Sequence, residues 1–80
     1  MLKSIIEHYF DEEFLIADGF DDAVIGVDEK NFRLIYSVSA CINILISQGM
    51  TEVDAIEYFE FNVSGAYMGE KTPIWCYDDF

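Results

Sequence analysis

The sequence predicts an α+β fold: a small antiparallel sheet, built from a hairpin at about 23–36 and a C-terminal strand, packed against two or three helices. Three observations carry that reading. Apolar residues recur at helical spacing in three segments. Two β-rich runs flank the polar stretch Asp28-Glu29-Lys30-Asn31. The chain has 80 residues and is 52% hydrophobic, enough for one domain with one core.

Each element has its own signal. Leu2, Ile5, Ile6 and Tyr9 share helical spacing, with Lys3 and Glu7 at i,i+4 on another face, so a short helix is expected over 2–10. Asp11-Glu12-Glu13 breaks that pattern. Phe14 to Ala17 is a short apolar run that suits a strand and ends at the turn dipeptide Asp18-Gly19. Ala23 to Val27 reads as the first hairpin strand. Phe32 to Tyr36 reads as the second, with Phe32, Leu34 and Tyr36 on one face. Ser37 or Ser39 can cap a helix over about 38–48, and Gly49 suits its C-terminal stop. The buried face of that helix is expected to be Val38, Cys41, Ile42, Leu45 and Ile46. Thr51 caps the next helix, expected from 52 to about 67 and closed by Gly69. Ile56, Phe59, Val63 and Ala66, with Ala55 and Tyr67 beside them, form its apolar face. Glu57 and Glu60 lie on a different stripe, and Phe61 falls opposite the apolar face. Thr72-Pro73 prevents further helix, and Ile74 to Tyr77 reads as the closing strand.

Charge narrows the function. Sixteen acidic residues stand against four basic ones, for a formal net charge of −12. Such a chain repels nucleic acid and anionic membrane, and it attracts basic surfaces. Ordinary solubility needs a net charge of magnitude only about 2–8. At 16% aromatic, the chain is not a disordered acidic tail. It has no apolar run of transmembrane length, and its N-terminus lacks the basic start and unbroken apolar stretch of a signal peptide. Cys41 and Cys76 are then expected as reduced, buried thiols in a cytoplasmic protein.

Several stretches carry a resemblance: Gly19 to Asp28, Arg33 to Tyr36, Ala55 to Val63, and above all the tail AYMGEKTPIW at 66–75. They resemble a group of small acidic, uncharacterised bacteriophage and prophage proteins, over about residues 14–77. The resemblance implies a phage setting in a bacterial cytoplasm, and it brings no catalytic residue with it. Small phage proteins often act by binding and disabling host enzymes or defence complexes, which supplies an analogy for function.

No motif argues for an enzyme. There is no nucleophile elbow and no Gly-rich phosphate loop, and His8 is the lone histidine. Asp18-Gly19-Phe20-Asp21-Asp22 is oxygen-rich but lacks EF-hand spacing, so neither metal nor cofactor is implied. The expected function is binding. Carboxylates three residues apart on a helix lie about 5–6 Å apart at Cβ, a spacing that can imitate a phosphate track. The candidate contact residues are Asp11, Glu12, Glu13, Asp21, Asp22, Asp28, Glu29, Glu57 and Glu60, with Phe61 as an aromatic anchor. The expected partner is a basic host protein or nucleic-acid-binding complex, such as a CRISPR or restriction complex. The alternative is a module that self-associates as a homodimer through Tyr58 and Phe61, its charge serving solubility only.

Overall fold

The fold is that of a computed structural model, which describes residues 1–66 and 68–80. Tyr67, expected beside the apolar face of the third helix, lies outside the described residues. The elements in order are α1 (Leu2–His8), a 3-10 turn (Asp21–Ala23), β1 (Val24–Asp28), β2 (Arg33–Ser37), α2 (Val38–Ser47), α3 (Glu52–Tyr58), a π-helical segment (Phe59–Ser64) and β3 (Ile74–Cys76). The α+β class is as expected, with three helices packed on a three-stranded sheet.

The sheet has the order β1-β2-β3 and is mixed. The hairpin β1–β2 is antiparallel, with Val27 opposite Leu34 and Asp28 opposite Arg33. β3 was expected to complete an antiparallel sheet. It instead runs parallel to β2, with Ile35 opposite Ile74 and Ser37 opposite Cys76. The reason lies in the connection. Parallel neighbours require a long crossover, and α2, α3 and the π segment supply it.

The central strand buries Leu34 and Tyr36 completely, as the alternation requires. Phe32, expected on the same face, falls in the hairpin loop with φ 54°, and β2 begins one residue later. A bulky residue seldom adopts positive φ. Here the Phe32 ring stacks edge-on with Tyr9 (5.7 Å between centroids) and Phe14 (6.4 Å), which holds the strained residue in place. The register between β1 and β2 shifts between Val24 and Gly26, so Ile25 is the extra residue of a bulge and is exposed.

Phe14 to Ala17, expected as a strand, has no regular structure. Its buried end is bonded otherwise: the Ala17 N–H donates to the Tyr36 hydroxyl at 2.8 Å, and the Ala17 carbonyl accepts from Phe20 N–H. Ile5, Ala17, Phe20, Ala23, Val24, Leu34, Tyr36, Val38, Cys41, Leu45, Ala55 and Phe59 make one core. Trp75 leans on it, its ring 5.2 Å from Tyr36 and 5.3 Å from Phe59.

The helical hairpin is set by its caps. Ser37 Oγ accepts from Ala40 N–H to open α2. At the other end Gly49, with φ 106°, donates to the Ile46 carbonyl, and Met50 N–H reaches Leu45. That is a Schellman close, and only glycine adopts its left-handed φ without strain. Thr51 then accepts from Asp54 N–H to open α3. The helix expected to run to about 67 is continuous only to Ser64 and changes type on the way. After Tyr58 the chain widens into the π segment and stops at Gly65, not Gly69. No helix of the described residues is long and apolar enough to cross a membrane.

Candidate binding groove

Helical periodicity assigned five residues of α2 to the core, and only three are fully buried there. Val38, Cys41 and Leu45 are covered, Ile42 is half-buried and Ile46 is 36% exposed. Across from them, Ile56 on α3 is 39% exposed. These uncovered apolar side chains floor a groove of about 440 Å³. Val38, Ile42 and Ile46 form one i,i+4,i+8 ridge on α2, and Glu52, Ile56 and Glu60 form a second along α3 and the π segment. Tyr77, Asp78 and Asp79 wall the groove where the chain leaves β3.

Asp78 anchors that wall. Its carboxylate accepts from Ser37 Oγ at 2.6 Å and from Ser39 N–H at 3.1 Å, at the positive end of the α2 dipole. The Ser37 hydroxyl, followed by the Ser39 amide, holds the Asp78 carboxyl below its ordinary pKa. Asp78 is not among the contact residues expected from the sequence. The signal for its role is the parallel pairing of β3, which sets Cys76 beside Ser37.

The expected contact residues are dispersed over the fold. Asp11 and Glu13 are exposed in the loop after α1, with Glu12 half-buried between them, and the Glu13 carbonyl accepts from Lys71 Nζ. Asp21 and Asp22 are exposed on the 3-10 turn. Asp28 is half-buried and occupied with the hairpin loop, accepting from Lys30 N–H and Asn31 Nδ2. Glu29 accepts from Tyr9 Oη at 2.8 Å, tying the hairpin to the end of α1 and raising the Tyr9 pKa. Glu57 and Glu60 are exposed on α3 and the π segment, and Glu60 alone of the nine acids borders the groove. Phe61, the expected aromatic anchor, is 81% exposed. The structure thus gathers Glu52, Glu60, Asp78 and Asp79 around one groove.

Burial pushes the Cys41 thiol up to about 12, which keeps it protonated and unreactive. His8 is exposed on α1. Both cysteines are free. Among the described residues no group of three or more His, Cys, Asp or Glu side chains could hold a metal ion. Arg33 and Lys71, two of the four cations, border a separate shallow pocket, and each donates to a backbone carbonyl, of Thr72 and Glu13.

Fold and groove together define a small α+β domain with an acid-rimmed apolar cleft between two helices. No protein-family model matches the sequence, and no curated protein or solved structure is significantly similar to it.

Proposed function

We propose that this domain acts by binding a basic protein surface, in the host cytoplasm of a phage or prophage, and that it competes there with nucleic acid. The observation that carries the reading is the folded display of charge. Of the nine candidate carboxylates, seven are exposed and two half-buried, on a domain with a net charge of −12. The domain extends 39 Å along its longest axis. Duplex DNA of that length carries roughly 23 phosphate charges, at one per ~1.7 Å. The protein therefore reaches about half the linear charge of DNA, on a scaffold that a Lys/Arg-rich channel would attract from a distance.

The test uses the immobilised protein. A bacterial lysate is passed over it at about 100 mM salt and eluted at about 500 mM, where screening removes surface attraction. The eluted proteins are then bound to DNA, and free domain is added. Release of one of them from DNA supports the reading. If the eluted proteins hold their DNA, or nothing elutes, the reading falls.

A second reading has its own observation. Phe61 at 81% and Tyr58 at 43% exposure lie on consecutive helical segments and could join two copies. Sedimentation at two concentrations decides it. A salt-resistant dimer that Phe61→Ser abolishes would favour self-association.

A further inference from the structure

The groove between α2 and α3 contributes only Glu60 to the nine carboxylates of the charge argument, yet its composition is specific. Its floor is apolar: Val38, Ile42, Ile46, Ile56 and Phe59. Its rim is acidic: Glu52 and Glu60 at two ends of the α3 ridge, Asp78 and Asp79 on the opposing wall. We propose that this groove is the docking site for an amphipathic, basic helix of the partner protein, with apolar residues at i, i+4 and i+7 seated on the isoleucines and Lys or Arg flanking them. The proposal rests on the basic-partner reading above and specifies where that partner is gripped.

Three features select this occupant. First, charge complementarity: four carboxylates around an apolar floor repel phosphates and acidic peptides and favour Lys or Arg beside an apolar stripe. Second, backbone chemistry: two walls are helices whose backbone groups bond internally and offer an extended strand nothing to pair with along them. A helix brings its own hydrogen bonds and needs only side-chain contacts. Third, length: the ten residues of α2 span about 15 Å, which matches roughly three turns of a docked helix. Asp78, fixed on Ser37 and Ser39, keeps the tail wall in place before the partner arrives.

The probe is a labelled peptide of about 16 residues, patterned with Leu at i, i+4, i+7 and Lys between, beside a scrambled peptide of identical composition. Anisotropy titrations at about 50 mM salt give both affinities. The patterned peptide should bind at least about tenfold more tightly than the scrambled one. Ile46→Ser/Ile56→Ser should remove that advantage while leaving the residual, salt-sensitive binding of both peptides. Glu60→Lys/Asp79→Lys should weaken the patterned peptide and flatten its salt dependence. Chemical-shift mapping on the unaltered protein guards against unfolded variants: perturbations must centre on Ile42, Ile46, Ile56 and Tyr77. Equal affinities for the two peptides, or shifts spread over the whole acidic surface, would overturn the groove and leave the charge reading standing. Absence of binding by either peptide at low salt would overturn both.

Discussion

Tyr36 shows how a single side chain replaces a strand. Its ring is fully buried, and its hydroxyl accepts the Ala17 N–H. Tyr36→Phe keeps the ring and orphans that buried donor. It should cost about 1–3 kcal/mol, read as a shift in the urea midpoint with an unchanged slope. A neutral outcome would mean that the Ala17 amide finds another partner. Asp78 makes a pH-dependent contribution instead. Its folded pKa is depressed, so its stabilisation is complete above the ordinary Asp range and is lost as pH falls through the folded value. Asp78→Ala should melt at a lower temperature than the unaltered protein from about pH 5 to 8, and the gap should close below about pH 4. A gap that persists into acid would remove the carboxylate from the account. Neither role was legible in the sequence. A phenol that satisfies an amide nineteen residues away, and a tail carboxylate that caps a helix begun forty residues earlier, leave no local pattern.

At the scale of elements, legibility followed how local the cause was. The hairpin, the Thr51 cap, the α2 cap as one of Ser37 or Ser39, and the Gly49 stop were readable because turn and cap chemistry acts within four or five residues. The direction of β3 was not, because Ile74-Trp75-Cys76 has the same composition whether it pairs parallel or antiparallel. The groove hid for a different reason. Periodicity marks Ile42 and Ile46 as apolar-face residues, and it cannot tell covered from uncovered apolar surface. The π segment hid because Phe59 and Val63 keep compatible spacing in either helix. It has its own test. Glycine within a helix ordinarily costs stability, so Gly→Ala should stabilise by up to ~1 kcal/mol. At Gly65, however, a Cβ would sit 2.8 Å from the Glu60 carbonyl oxygen, five residues back. Gly65→Ala should therefore destabilise, by about 1–3 kcal/mol, measured by thermal or urea melts. A stabilised variant would show that the segment relaxes readily to an ordinary α-helix.

At the scale of the whole molecule, twelve uncompensated negative charges share a body 39 Å long and 24 Å across. Screening decides how strongly they interact. The Debye length is about 30 Å at 0.01 M salt and about 10 Å at 0.1 M. At the lower concentration most carboxylates on this body sense one another, and at the higher one only near neighbours do. Raising sodium chloride from about 20 to 300 mM should therefore raise the melting temperature. For a domain of this size each ~1 kcal/mol of relieved repulsion corresponds to about 4–8 °C. The lone tryptophan offers the readout, since its ring packs on Tyr36 and Phe59 and is released on unfolding. The shape of the response matters as much as its sign. Screening saturates by about 300 mM, whereas strengthened apolar burial by excluded salts continues to grow toward molar concentrations. A rise that saturates means that the charge costs the folded state stability. That cost is the one the proposed attraction to a basic partner would offset. A falling melting temperature would mean that the carboxylates are stabilised where they sit and that self-repulsion is not the leading stress on the fold.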